Sequence, residues 1–345
     1  MTAAVKKTDT KLIELSNLHV NFKYRQGTVR AVKEANLDIF SGESLGLVGE
    51  SGSGKSVTAQ SILGIIPTPG EIAEGEIYYF PEGEDGKRIT LSDLKSKGKE
   101  FRHLRARKFS IIFQEPMSAL SPIHTIGNQI IEAMMLARSV NKKEARNEAV
   151  KLLRKVGIPK AEERIDEYTF NLSGGMRQRA MIAMALAGEP EFLIADEPTT
   201  AIDVTIQAQI LELLENLQKD FGMSLMMITH DLGVIAAVAE RVAVMYNGYI
   251  VEKAFLENIF NNPLHPYTKG LINSIPDIKK TDRKLVSIEG VVPHPYARIK
   301  GCDFRPRCEK SIEGICDQSF PSEIECEKDH FVRCYLYNEL EDDKK

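Results

Sequence analysis

The sequence predicts an α/β fold built on a mainly parallel sheet, and three observations carry that prediction. The runs SLGLVG at 44–49, FLIAD at 192–196 and SLMMIT at 224–229 are short, continuous and apolar, as strands buried on both faces are. Helical periodicity separates them, as in IQAQILELLENLQKDFG from Ile206 to Gly222. Strand–helix–strand alternation is the pattern of a parallel sheet, because parallel neighbours need a crossover.

Taken in chain order, the first ten residues are polar and predict no element. LIELSNLHVNF and VRAVKEANLDIF alternate apolar and polar positions with β-branched residues, which predicts strands. The stretch 125–188 carries no strand pattern. IGNQIIEAMMLARS, KKEARNEAVKLLRKVG and GGMRQRAMIAMALAGEP read as helices, so a helical subdomain is inserted in the α/β core. RVAVMYNGYIVEKA reads as two strands around Asn247-Gly248, a type I′ hairpin signal. From about residue 256, Pro263, Pro266, Pro276, Pro293 and Pro295 interrupt regular structure. The expected division is a domain at 11–255 followed by an extension at 256–345.

The chain has 345 residues, with Lys+Arg 45 against Asp+Glu 49 and a net charge of −4. That balance argues against general nucleic-acid binding, which needs a basic surface. No apolar run reaches membrane-spanning length, and MTAAVKKTDTK lacks the apolar core of a signal peptide. The chain is therefore expected neither to cross nor to enter a membrane by itself. All five cysteines fall between Cys302 and Cys334, so the extension is expected to have its own chemistry.

Gly49-Glu50-Ser51-Gly52-Ser53-Gly54-Lys55-Ser56 matches the phosphate-loop pattern G-x-x-x-x-G-K-S between a buried strand and a helix. Its glycines let backbone N–H groups cradle phosphate oxygens, and the helix that follows presents its positive end. Lys55 is placed to reach the β- and γ-phosphates and the Ser56 hydroxyl to sit on Mg²⁺. The strand FLIAD delivers Asp196 and Glu197 side by side. Asp196 would hold Mg²⁺ through water, and Glu197 would act as general base on the attacking water. In LSGGMRQR, Ser173 is a predicted N-cap, and Gly174 and Gly175 leave the first helical turn bare for an anion.

The phosphate loop, LSGGMRQR, LIADEP, Ala201-Ile202-Asp203 and Ile228-Thr229-His230-Asp231, in that order, resemble the ATP-binding subunit of ABC transporters from residue 12 to about 255. The resemblance implies a P-loop ATPase with an N-terminal antiparallel β subdomain. It also implies a head-to-tail dimer in which each ATP lies between one subunit's phosphate loop and the other's signature segment, here Ser173, Gly174, Gly175 and Gln178. It gives Gln114 in IIFQEP the role of contacting Mg²⁺ and sensing the membrane partner. His230 would hold the γ-phosphate and orient Glu197, and Asp203 would communicate across the dimer. Phe22 matches the aromatic that stacks on adenine, with Tyr24 as the competitor.

The tail narrows the resemblance. NPLHPYT at 262–268, GVVP at 290–293 and GCDFRPRC at 301–308 are similar to the C-terminal extension of oligopeptide and dipeptide permease ATPases. IADEPTTAIDVTIQAQI resembles the D-type subunit, which implies a heterodimer with the F-type paralogue, a homodimer being the alternative. His265, between prolines, reads as a turn cap and not as a ligand. Clustered thiolates in a reducing cytosol suit zinc or an iron–sulfur cluster, and disulfides are not expected. The resemblance implies a [4Fe–4S] cluster on Cys302, Cys308, Cys316 and Cys334, with Zn²⁺ as the alternative and Cys326 to spare. The extension offers few apolar residues for a core, so a metal cross-link is expected to supply its folding energy. Lying far beyond His230, it is expected to take no direct part at the nucleotide.

The implied function is ATP hydrolysis that powers a binding-protein-dependent importer of dipeptides or oligopeptides. The partners would be two transmembrane permease subunits and, indirectly, an extracytoplasmic binding protein, placing the chain at the cytoplasmic face of the cell membrane. Alternatives are a nickel or oligosaccharide importer, an exporter ATPase, and a soluble ATPase acting on nucleic acid; the acidic end, KDHFVRCYLYNELEDDKK, speaks against the last.

Overall fold

The computed structural model describes residues 10–81, 86–200, 203–275 and 288–337. Its strands are β1 Lys11–Tyr24, β2 Gly27–Phe40, β3 Ser44–Val48, β4 Gly70–Tyr79, β5 Ile89–Thr90, β6 Phe109–Ile112, β7 Phe192–Asp196, β8 Ser224–Thr229, β9 Arg241–Tyr246, β10 Tyr249–Phe255, β11 Ile324–Glu327 and β12 His330–Val332. Among the described residues these form two sheets: β2-β1-β4-β5, antiparallel throughout, and β11-β12-β10-β9-β3-β8-β7-β6. In the larger sheet β9, β3, β8, β7 and β6 are parallel, and β10, β12 and β11 continue it as an antiparallel wing.

The three continuous apolar runs are β3, β7 and β8, every residue of each buried. They alternate between two cores, as the period of a strand requires. Phe192 and Ile194 of β7 pack with the N-terminal antiparallel sheet, while Leu193 and Ala195 pack with the helical side. The expectation that both faces are covered is borne out.

Helices follow the same logic. α1 (Lys55–Ile62) starts at the end of the phosphate loop, and α2 (Lys99–Arg107) leads into β6. Between β6 and β7 come α3 (Pro116–Ala119), α4 (Ile126–Ala137), α5 (Lys142–Lys155), α6 (Ala161–Arg164) and α7 (Gly174–Leu186), with no strand. α5 opens with a full capping box on Asn141 and Glu144, which satisfies N–H groups that the first turn leaves free. α8 (Val204–Phe221) and α9 (Leu232–Val238) follow β7 and β8. The β9–β10 hairpin turns at Asn247 and Gly248, both with positive φ, as Asn-Gly predicts.

The extension departs from its expected form. α10 (Leu256–Asn261) and α11 (Pro266–Asn273) occupy the proline-rich stretch, and Pro266 starts α11, where its missing N–H costs nothing. His265 caps α11, its Nδ1 accepting from Tyr267 N at 3.0 Å. β12 pairs with β10, and Phe304 enters the main core, its ring 5.1 Å from that of Tyr246 and 5.4 Å from that of Tyr267. The sequence predicts that a metal cross-link supplies the extension's folding energy; among the described residues its apolar partners come from the main core.

The weld is polar as well. Glu252 of β10, 1% exposed, accepts from Leu264 N and His265 N at 2.8 Å each, and its Oε1 lies 2.8 Å from Nε2 of the fully buried His330. Glu252→Ala leaves those donors buried and unpaired. We expect a loss of about 3–5 kcal/mol in denaturant unfolding, with amides of β12 exchanging faster than those of β3. A loss below about 1 kcal/mol would contradict the weld.

Candidate active site

Because β3, β8, β7 and β6 are parallel neighbours, their carboxyl ends open on one edge, where α/β sheets bind ligands. The pairs Val48↔Thr229, Ile228↔Asp196 and Ala195↔Ile112 align those ends. The next residues along each strand are therefore Gly49, His230, Glu197 and, two past Ile112, Gln114.

The loop 49–56 has the shape its glycines allow. Gly49 and Gly54 have φ of +156° and +107°, and a Cβ on them would lie 2.1 Å from Met245 O and 2.4 Å from Ala31 O. Only glycine fits so close to neighbouring backbone. Lys55, 5% exposed, donates to Gly49 O at 2.7 Å and Glu50 O at 3.0 Å. Burial lowers its pKa, against the raising charges of Glu197, Asp196 and Glu50. Ser53 Oγ is buried with no hydrogen-bond partner, a donor suited to a ligand oxygen.

Ser56 Oγ donates to Asp196 Oδ1 at 3.0 Å. Burial raises the Asp196 carboxyl, assisted by the neighbouring Glu197 charge and opposed by the Ser56 bond. Glu197 is the hub. Its Oε2 accepts from Gln114 Nε2 and from Thr200 Oγ1, each at 2.9 Å, and its Oε1 lies 3.1 Å from His230 Nδ1. Burial pushes its pKa up, but the bonds from His230 and Thr200 outweigh this and hold it below the usual value. Its φ of +47° is rare for a non-glycine residue, a conformation held at a cost that a site can use for aim. Ser56, Asp196 and Gln114 carry the oxygen donors that Mg²⁺ takes.

The other expected residues fall outside this cluster. Ser173 caps α7 by accepting from Met176 N, and Gly174 is exposed beside it. Gln178, 2% exposed, instead donates to Pro198 O at 2.6 Å, so its amide ties α7 to the segment after Glu197 and does not face outward. Asp203 caps α8 through Ile206 N; Ala201 and Ile202 lie outside the described residues. Phe22 is only 9% exposed and packs on Gly70, whereas Tyr24, stacked with it at 11°, is 48% exposed. The ring with a free face is thus Tyr24. Sequence reasoning missed Tyr296, whose ring touches Gly27 at the same hairpin tip.

The thiols of Cys302, Cys308, Cys316 and Cys334 line one small cavity of about 20 Å³; Cys326 does not. All five are half-buried, and none is in a disulfide. Burial, and then the nearness of the other thiols, pushes Cys302 up to about 12 and Cys334 to about 11. The donor set has the softness that iron–sulfur clusters or zinc require, but the described residues contain no group of three or more His, Cys, Asp or Glu already arranged to hold a metal ion. The extension also reaches the phosphate loop, against expectation: Tyr267 Oη accepts from Glu50 N, and Arg307 pairs with the Glu50 carboxylate.

Comparison with known proteins identifies the family. A family described as "ABC transporter" matches residues 32–200, and one described as "Oligopeptide/dipeptide transporter, C-terminal region" matches 251–316. The chain is 45% identical over 330 residues to the dipeptide transport ATP-binding protein DppD of Bacillus subtilis, covering 95% of this chain and 96% of that one. It is 46% identical over 329 residues to the oligopeptide transport ATP-binding protein AppD of the same organism, covering 95% and 97%. Among solved structures it is similar to the dimeric bacterial ABC transporter cassette MJ0796, at 28% identity and a TM-score of 0.62, over 71% of this chain and 99% of that one.

The loop's shape can be tested directly. Gly54→Ala places a methyl against Ala31 O at a φ that side chains avoid. We expect it to destabilise the protein by about 1–3 kcal/mol in denaturant unfolding; a change within about 0.5 kcal/mol would contradict the conformation described.

Proposed function

The chain belongs to the ATP-binding subunits of ABC-type dipeptide and oligopeptide transporters, and we propose on that footing how it hydrolyses ATP to power peptide import. The observation that carries the reading is the Glu197 hub, one residue past the Asp196–Ser56 pair and beside the phosphate loop. Backbone N–H groups of Gly49 to Ser56 receive the phosphates, and Lys55 exchanges its carbonyl partners for phosphate oxygens. Ser56, Asp196 and Gln114 would hold Mg²⁺, which would supply positive charge against the transferred phosphate. Glu197, ionised at neutral pH, takes a proton from the attacking water; His230 and Gln114 aim it. Adenine stacks at the Phe22–Tyr24 pair, with Tyr24 offering the open face.

The exposed start of α7 at Ser173, Gly174 and Gly175 offers free N–H groups to the phosphates of a partner's ATP, and Ile206, whose N–H donates to Asp203, lies against Gly175. The partner is the F-type paralogue in our reading, with 11–255 as the ATPase domain and 256–345 as the extension. No helix among the described residues is long and apolar enough to cross a membrane. An open groove of about 380 Å³, lined by Ile65, Phe113, Leu136 and Met184, lies next to Gln114. Phe113 and Leu136 are 36% and 68% exposed, which suits an apolar segment of a transmembrane permease subunit. Such docking holds the chain at the cytoplasmic face of the membrane, and the names of the relatives favour peptides over nickel or sugars as cargo.

Glu197→Gln tests the mechanism, since the amide keeps the shape and loses the base. ATP binding should persist while hydrolysis, and uptake of a labelled dipeptide or oligopeptide by the assembled transporter, fall by a factor of about 10² to 10⁴. A variant keeping a third of wild-type turnover would remove Glu197 from the role.

We also propose that Cys302, Cys308, Cys316 and Cys334 hold a [4Fe–4S] cluster, which would cross-link the loops they sit on. Protein purified without oxygen is then brown, with about four irons per chain. Serine at any of the four bleaches it, whereas Cys326→Ser does not. Colourless protein with one zinc would replace the cluster by zinc, and metal-free protein would end both versions.

A further inference from the structure

Glu50, the second residue of the phosphate loop, is pinned at every polar group. Its N–H donates to Tyr267 Oη at 2.9 Å, and its carbonyl accepts from Lys55 and from Ser53 N. Its carboxylate receives both prongs of Arg307: Nη1 to Oε2 at 2.7 Å and Nη2 to Oε1 at 3.0 Å. Tyr267 and Arg307 both belong to the extension. The Arg307 side chain is 4% exposed, and its Nε donates to Glu289 O at 3.0 Å, so the guanidinium is fixed before it meets Glu50. Four residues back, Asp303 binds Lys33 Nζ at 2.7 Å and Asn247 Nδ2 at 2.8 Å, anchoring the same segment to the hairpin whose Gly248 N donates to Ser53 O.

A glutamate is a poor choice beside a triphosphate. An unpaired carboxylate at the loop repels ATP, and at short range in a partly buried site that repulsion is several times stronger than in water. We propose that Arg307 is a positioning residue for ATP binding: by cancelling the Glu50 charge and fixing its side chain, it makes the C-terminal extension a determinant of nucleotide affinity. Because a fork-to-fork pair sets both charge and direction, lysine is not its equivalent. The inference rests on the nucleotide reading proposed above.

A double-mutant cycle on the full chain tests it, with MgATP titrated against wild type, Arg307→Ala, Glu50→Gln and Arg307→Ala/Glu50→Gln. Arg307→Ala should weaken binding about tenfold, equivalent to about 1.4 kcal/mol, and should raise KM for ATP with kcat changed less than about twofold. Removing the stranded carboxylate in the double variant should return affinity to within about threefold of wild type. An unchanged Kd for Arg307→Ala, or a double variant no better than the single one at equal melting temperature, overturns the inference. If Arg307→Ala does not fold, Arg307→Gln, which keeps one bond and no charge, replaces it in the same cycle. Wild-type protein that fails to bind MgATP overturns the nucleotide reading itself.

Discussion

In-register parallel pairing of β3, β8, β7 and β6 is the constraint on which the rest of this structure depends. Each strand contributes one or two residues of the proposed site just past its carboxyl end, and the four sets meet only if the ends line up. A slip of one residue would turn every side chain to the opposite face. It would move Leu193 and Ala195 out of one core and into the other, so packing on both faces enforces the register that the chemistry uses.

At that edge the polar groups already answer one another. Lys55 is held on the loop's own carbonyls, Ser56 on Asp196, and Glu197 between Gln114, Thr200 and His230. In the proposed reading these are the donors and acceptors that phosphate, Mg²⁺ and water would compete for, so that binding would exchange bonds in place of creating them. The exchange costs little reorganisation, because the backbone beneath, including the strained Glu197, is fixed by its neighbours.

The extension follows a different physical plan from the one its composition suggests. Loop-rich, proline-interrupted segments often depend on a metal for cohesion. Here β12 takes ladder bonds from β10, Phe304 takes a place in the main core, and Glu252 satisfies three buried donors from the extension. A segment so joined to β9 and β10 lies directly behind the phosphate loop, which is why Arg307 and Tyr267 reach Glu50.

The sequence by itself determined the features that are local. The buried strands β3, β7 and β8, the helical stretch between β6 and β7, the Asn247-Gly248 turn, the caps at Ser173 and His265, and the phosphate loop all follow from short-range rules of periodicity, φ preference and hydrogen bonding. It did not single out β4, β6, β11 or β12, whose runs are short or interrupted by glycine and charge and become strands because a neighbouring edge pairs with them. Tertiary structure alone decided that Phe22 is buried while Tyr24 is not, that Gln178 turns inward to Pro198, and that Arg307 meets a glutamate 257 positions away. Side-chain exposure and long-range ion pairs depend on which surfaces the folded layers bring together, and no rule of local spacing contains that information.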